Sequence, residues 1–241
     1  LDLFVSDLHL CPSRPPATDL FLEFLAGPAT RAGALYILGD LFEYWAGDDD
    51  LDDPFSQTIC SALHALADQG TFIGFIPGNR DFLVGTAFAA TAGLTLLDDG
   101  CVRNIGGTPT LLMHGDVLCT DDQEYQRFRA TIRSAAWRQE FLARPLPERK
   151  AEIEALRRRS EAEKQRKPMI LMDAHPDAVA DALRAAGCRR LIHGHTHRPA
   201  RHEHLVDGKT CERWVLGDWY QGGDYLYCDE TGCHRVPLAV P

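Results

Sequence analysis

Five times along this chain a short apolar run ends in a cluster of Gly, Asp, Asn and His. The runs cover residues 3–5, 34–38, 71–76, 110–113 and 190–192. The clusters after them are Asp7-Leu8-His9, Gly39-Asp40, Gly78-Asn79-Arg80-Asp81, His114-Gly115-Asp116 and Gly194-His195-Thr196-His197. Runs this short and mostly apolar read as buried strands. Helix-like stretches over 18–25, 53–69 and 86–92 separate the early runs. Strand–helix alternation of this kind predicts an α/β sandwich with helices covering a sheet. Residues 205–238, with Trp214, Val215, Tyr225 and Tyr227 near Gly-rich turns, read as closing antiparallel strands.

Loops at the carboxyl ends of strands in an open α/β sheet meet in one crevice. The clusters should therefore bring together Asp7, His9, Asp40, Asn79, His114, His195 and His197, enough oxygen and nitrogen donors for two adjacent divalent ions. If the segment is extended, residues i and i+2 point the same way, so Asp7 and His9 would share an ion. His195 and His197 would likewise point to one side. A carboxylate such as Asp40 has lone pairs for two ions at once. Gly39, Gly78, Gly115 and Gly194 would let the backbone turn tightly beside them. Each motif alone is commonplace; five in order, each after an apolar run, are not.

A net charge of −10 over 241 residues argues against broad nucleic-acid binding, which needs a basic face. The charge is unevenly spread. Residues 122–168 hold 13 of the 25 Lys and Arg against 8 Asp and Glu, which marks a separate functional region. That stretch breaks the strand rhythm and reads as a helix over 121–141 and, after Pro145 and Pro147, a charged helix over 148–167. Glu154/Arg158 and Glu163/Lys167 fit i,i+4 pairing on a solvated face. The domain reading is one domain over 1–241 with a helical insertion at 122–167. No apolar run approaches the ~20 residues of a membrane span, and no secretory leader is expected before the first motif. The eight cysteines show no CxxC spacing. Free thiols are expected, with Cys228 and Cys233 the pair that could clip a terminal hairpin.

In order and residue type these motifs resemble the calcineurin-like metallophosphoesterase superfamily, from Asp7 to His197. The resemblance implies a four-layer αββα sandwich and a dinuclear centre. Asp7, His9, Asp40 and His197 would hold one ion, and Asp40, Asn79, His114 and His195 the other. Oxygen and nitrogen donors without thiolate suit Mn²⁺, Fe²⁺ or Zn²⁺. Many superfamily members carry a His after the Asn, where this chain has Arg80. A guanidinium offers charge and paired hydrogen bonds to phosphate oxygens instead of a proton. That suits a leaving group that departs as a phosphate anion, hence a pyrophosphate linkage.

The longer strings Ser6-Asp7-Leu8-His9-Leu10, Gly39-Asp40-Leu41-Phe42-Glu43-Tyr44-Trp45, Gly78-Asn79-Arg80-Asp81-Phe82-Leu83 and the stretch 114–122 resemble the UDP-2,3-diacylglucosamine diphosphatase family of lipid A biosynthesis. This resemblance implies two Mn²⁺ ions and hydrolysis of UDP-2,3-diacylglucosamine to UMP and 2,3-diacylglucosamine 1-phosphate (lipid X), with activated water attacking the α-phosphorus. Arg80, Asp40 and His195 would serve the chemistry. Asn79, Arg80, Asp122, Ser160, Lys164, Lys167 and His195 would contact substrate, although Lys164 stands where family members carry Asn. Asp81 and Asp116 would orient His ligands through hydrogen bonds. The insertion would cap the site and receive the acyl chains, lined by Tyr125, Phe128, Ile132, Trp137, Phe141, Ile153 and Leu156 unless these pack between helices. Arg149, Lys150, Arg157, Arg158, Arg159 and Arg166 would hold the cap against an anionic membrane. A monomer, peripheral on the cytoplasmic face of the bacterial inner membrane, is expected. The rival readings are a phosphodiesterase acting on a soluble nucleotide, and a non-catalytic scaffold, which would be expected to lose ligands.

Overall fold

A computed structural model describes residues 1–164 and 173–239, with the side chains of 159–164 outside that description. The expected roles of Ser160, Lys164 and Lys167, and of Arg159 and Arg166, therefore fall outside the described residues. The chain runs β1 (Asp2–Val5), α1 (Pro15–Ala26), β2 (Ala34–Ile37), α2 (Pro54–Asp68), β3 (Phe72–Phe75), α3 (Thr86–Ala92) and β4 (Thr95–Leu96). Next come β5 (Cys101–Ile105), β6 (Thr108–Met113), α4 (Gln123–Ile132), α5 (Ala135–Leu142), α6 (Leu146–Lys164), α7 (Pro176–Ala186) and β7 (Arg190–His193). It closes with β8 (Ala200–Val206), β9 (Lys209–Val215), β10 (Gly223–Asp229) and β11 (Gly232–Leu238).

One sheet has the order β11-β10-β1-β2-β3-β4 and the other β5-β6-β7-β9-β8. Alternation along each central strand explains why the runs are apolar throughout. Leu3 and Val5 of β1 face α1 and α2, joining Phe21, Phe24, Ile59 and Leu63, while Phe4 faces the second sheet. In β6, Leu111 and Met113 pack with Val179 and Leu183 of α7, while Leu112 joins Phe4 between the sheets. The layers are thus helix, sheet, sheet, helix, as the superfamily resemblance implies. The closing strands divide between the sheets: β8–β9 complete the second, where β9 lies parallel to β7, and β10–β11 the first.

The parallel register positions the site. Val5 lies level with Ile37, and Ile37 with Phe75, so the loops carrying Asp7, Asp40 and Asn79 leave the first sheet side by side. Met113 lies level with His193, which does the same for His114 and His195. Local chemistry sets the helix starts. Asp53 caps α2 by accepting from the N–H of Phe55 at 3.0 Å and Ser56 at 3.1 Å, ahead of Pro54 in the first turn.

Three expectations are corrected. The helix expected over 121–141 is two helices, because Ser134 leaves the ladder. Its hydroxyl donates to Thr131 O at 2.8 Å and accepts from Trp137 N at 3.3 Å, ending one helix and capping the next. Cys228 and Cys233 are not free thiols but a disulfide. They face each other across the β10–β11 hairpin with Cα atoms 4.1 Å apart, the narrow kind of antiparallel pair.

The third correction concerns the basic run. Arg149 is 1% exposed, donates to the carbonyls of Arg144 and Ala46, and pairs with Asp49. Lys150 pairs with Asp50 at 2.7 Å and Arg157 with Glu43 at 2.8 Å. These three cations hold α6 to the 43–50 loop, so their charge is met within the protein. Arg158, by contrast, is 71% exposed and pairs with Glu154 at 3.6 Å, as i,i+4 spacing predicts. Several candidate chamber residues also pack inward. Trp137 stacks on Phe141 at 4.5 Å and meets Phe82 at 5.9 Å, Ile132 and Phe141 are buried, and Ile153 packs on the main core. Phe128 is exposed.

Arg149→Ala leaves two carbonyls and Asp49 without their donor, so unfolding by urea should show a loss of roughly 1–3 kcal/mol. Arg158→Ala should change stability by no more than about 0.5 kcal/mol in the same measurement.

Candidate metal centre

Backbone conformation at the strand ends decides where the donors go. Asp7, His9, Asp40, His195 and His197 adopt φ values of 54°, 50°, 54°, 67° and 53°, in the left-handed region that non-glycine residues rarely enter. Among the described residues the other such position is Asp207, in the β8–β9 turn. The extended geometry expected for Asp7-x-His9 is therefore wrong: each donor sits on a turn, not on a pleat. His195 and His197 also diverge, toward separate donor groups.

These turns are held by hydrogen bonds that continue the parallel ladder past its ends. Asp7 N donates to Gly39 O at 3.0 Å, His9 N to Asp40 O at 2.9 Å and Leu10 N to Leu41 O at 2.9 Å. Gly39, at φ 91°, packs so closely under the His114 ring that any Cβ would overlap it. A Cβ on Gly78 would fall on the Asp40 carboxylate.

Two donor groups result, sharing Asp40. On one side the Nε2 atoms of His9 and His197 are 3.4 Å apart, and they lie 4.0 and 3.3 Å from Asp7 Oδ1. Asp40 Oδ2 is 3.8 Å from His9 Nε2. On the other side Asn79 Oδ1 lies 2.9 Å from His114 Nε2 and 2.8 Å from His195 Nδ1, with Asp40 Oδ1 3.8 Å from His114 Nε2. Asp7–His9–His197 and Asp7–Asp40–His114 each have ligand atoms within 4.8 Å of one another.

The residues fit a pair of cations on two grounds. Asp7 Oδ2 accepts from Ser6 Oγ at 2.5 Å and from His195 N at 2.9 Å, yet Oδ1 is buried and accepts no hydrogen bond among the described residues. A buried carboxylate oxygen facing two imidazole nitrogens at ion-pair distance is the geometry of a ligand. The protons tell the same story. Burial and then the imidazole of His114 dominate the Asp40 carboxyl, and burial wins, raising it. Burial alone would lower His114, but Asp40, Asp7 and Asp116 push it up to about 9. At Asp7 burial is outweighed by His197, His114 and His9, which hold it well below the carboxylate range. Positive charge is what these buried carboxylates demand, and divalent cations supply it.

Among the described residues Asp81 and Asp116 accept hydrogen bonds from groups other than histidine, contrary to expectation. Asp81 accepts from the backbone N–H of Gly78 at 2.8 Å, Leu41 at 2.7 Å, Asp40 at 3.2 Å and Phe42 at 3.3 Å. Asp116 accepts from Tyr125 Oη at 2.9 Å and Arg129 Nε at 2.7 Å, tying α4 to the centre. What orients His114 is the carbonyl of Leu38, 2.8 Å from its Nδ1. Asp122 caps α4, accepting from Tyr125 N at 3.1 Å. Arg80 lies at the rim, with its N–H on Asp40 Oδ1 at 2.8 Å and its guanidinium 3.9 Å from Glu43. Two functional neighbours, Asp218 and Tyr220, went unread, and Tyr125 was expected only to line the cap. Asp218 Oδ2 is 3.4 Å from His197 Nδ1, Tyr125 stacks on His195 at 5.9 Å, and Tyr220 stacks on His9 at 5.1 Å. No sequence signal marks Asp218 or Tyr220.

A sandwich of two sheets with oxygen and nitrogen donors at the ends of parallel strands defines a metallophosphoesterase. The chain belongs to the calcineurin-like phosphoesterase family, whose profile matches residues 3–199. Its relatives include proteins named UDP-2,3-diacylglucosamine hydrolase. The one from Aromatoleum aromaticum is 54% identical over 95% of this chain and 94% of its own length. Those from Aeromonas hydrophila and Xanthomonas campestris are 48% and 47% identical, covering 94% and 99% of this chain and 93% and 99% of their own. A solved archaeal phosphodiesterase aligns over 98% of this chain with a TM-score of 0.47 at 13% identity.

Gly78→Ala should displace Asp40 and weaken binding of a divalent cation by about ten- to a hundredfold. Isothermal titration of the metal-free protein with Mn²⁺ checks this.

Proposed function

We propose that this chain hydrolyses the pyrophosphate bond of UDP-2,3-diacylglucosamine, releasing UMP and 2,3-diacylglucosamine 1-phosphate. The observation that carries the reading is the placement of Asp40, whose two oxygens face buried His9 on one side and buried His114 on the other. Full-length relatives named for that substrate support it.

In this reading Asp7, His9, Asp40 and His197 hold one Mn²⁺, and Asp40, Asn79, His114 and His195 a second. The two cations supply Lewis acidity and an activated water to the reaction. The protein does the rest. The turns at Asp7, Asp40 and His195 set the donors before substrate arrives, so binding costs little rearrangement. Arg80 presents a guanidinium fork to the phosphoryl oxygens at the rim, where Glu43 steadies it. A leaving group that departs as a phosphate needs no general acid, which is consistent with arginine at this position. His195 and Asn79 face the same space and orient the substrate. The insertion serves as a lid, with Asp122 reaching the sugar; the contacts expected of Ser160, Lys164 and Lys167 fall outside the described residues.

A diacyl substrate favours a peripheral location at a membrane, and in this reading that is the cytoplasmic face of the inner membrane. Among the described residues no helix is long and apolar enough to cross it. The exposed Phe128 and Arg158 are suited to such a surface.

Turnover of UDP-2,3-diacylglucosamine in ¹⁸O-water with Mn²⁺ should place the label in UMP. Label confined to the lipid phosphate would move the attack to the other phosphorus, and no turnover would overturn the reading. His9→Ala and Asp40→Ala should leave a folded protein without turnover even at saturating Mn²⁺. Arg80→Lys keeps the charge but loses the fork, and kcat should fall by about 10²–10³.

A further inference from the structure

Glu43 is 5% exposed and sits within an apolar stretch, between Phe42 and Tyr44. An acid in such a place needs partners, and its partners come from three parts of the molecule. Oε2 lies 3.6 Å from His9 Nδ1, the ring nitrogen opposite the one turned toward Asp7, Asp40 and His197. Oε1 lies 2.8 Å from Arg157 Nη2 on α6 and 3.9 Å from Arg80 Nη1. Its backbone N–H donates to Leu10 O at 3.0 Å, which fastens the Glu43 turn to the loop that carries His9.

Each contact has a consequence. A carboxylate beside Nδ1 favours the tautomer with the proton there, leaving the Nε2 lone pair free for a cation. Tyr220 stacks on the same ring at an interplanar angle of 22°, so the stack sets the ring plane while Glu43 faces its Nδ1 edge at ion-pair distance. Two guanidiniums share this one carboxylate, so a unit of positive charge remains at the rim for an anionic phosphate. Arg157 belongs to α6, whose other inward cations, Arg149 and Lys150, bind Asp49 and Asp50 of the same loop. A shift of α6 along that loop would therefore be felt at His9 through a single side chain.

We propose that Glu43 is a positioning residue that couples the seating of α6 to cation affinity at Asp7, His9 and His197, while holding Arg80 in place for phosphate. This inference rests on the two-ion reading above. Its test is titration of the metal-free full-length chain with Mn²⁺, reading free Mn²⁺ by electron paramagnetic resonance. The wild type should bind two ions; fewer would fail the two-ion reading itself. Glu43→Gln should weaken one of the two ions by about ten- to a hundredfold and leave the other unchanged. Glu43→Asp, which keeps the charge, should recover part of that loss.

Arg157→Gln should change the affinity of the same ion by about threefold or more, and that change should vanish in the Glu43→Gln background. Simple repulsion between Arg157 and the cation would act whether or not Glu43 is present. A wild type that binds two ions with Glu43→Gln affinities unchanged overturns the inference. So does an Arg157→Gln effect that persists undiminished in the double variant. If Glu43→Gln fails to fold, Glu43→Asp with and without Arg157→Gln carries the same comparison.

Discussion

Asp81 is fully buried, and its carboxylate gathers the backbone N–H groups of Gly78, Asp40, Leu41 and Phe42. The centre depends on that arrangement. The loops after β2 and β3 share a backbone bond from Trp45 N to Arg80 O at 3.2 Å, and nearer the centre buried N–H groups without acceptors would cost about 1–3 kcal/mol each. One carboxylate satisfies both loops and thereby fixes the distance between Asp40 and Asn79. Burial, followed by the nearby Asp40, pushes its carboxyl up to about 7, while the N–H groups favour the charged form. Cations at the adjacent donors would relieve the repulsion from Asp40 and strengthen the same hydrogen bonds. Metal binding and loop order are thus coupled through a residue that need not touch metal.

Strain works in the same direction. Left-handed conformations at non-glycine residues cost about 1–3 kcal/mol each and persist when surrounding contacts over-determine them. Here the contacts are the ladder bonds from Asp7, His9 and Leu10 to the neighbouring loop, and the bond from His195 N to the Asp7 carboxylate. The backbone N–H groups of Asp7, His9 and His195 therefore each hold another donor or its loop. Asp7 gives one oxygen to that internal bonding and keeps the other for the cluster. Removing one donor loosens others, so losses at these positions will not add independently.

Much of this was legible in residue order. Apolar runs followed by Asp, Asn or His gave the strands β1, β2, β3, β6 and β7 and the donors at their ends, because burial on both sheet faces leaves a plain sequence trace. The turn geometry was not legible. A period-two argument assumes an extended chain, and nothing in Asp7-Leu8-His9 shows that the chain has left the strand. Partners distant in sequence were equally hidden: Asp218 beside His197, and Asp81 beneath Asp40, are set by tertiary contact rather than spacing. Ser134 was misread for a different reason, since a serine within an otherwise helical pattern carries no label for whether it caps or continues.

The basic stretch shows how charge counting misleads without partners. Arg149, Lys150 and Arg157 contribute to the excess that made residues 122–168 look like a surface for an anionic leaflet, yet they meet Asp49, Asp50 and Glu43. Those acids lie in the loop after β2, and Asp48 beside them caps α3 through the N–H groups of Ala87 and Phe88. Basic helix and acidic loop are therefore one interface. Its ion pairs run from the buried end at Arg149 to the rim of the centre at Arg157. There the same kind of contact that seats a helix also sets a histidine and an arginine. Electrostatic fastening of α6 and electrostatic preparation for a phosphate thus share the carboxylate of Glu43, which ties the docking of that helix to the chemistry below it.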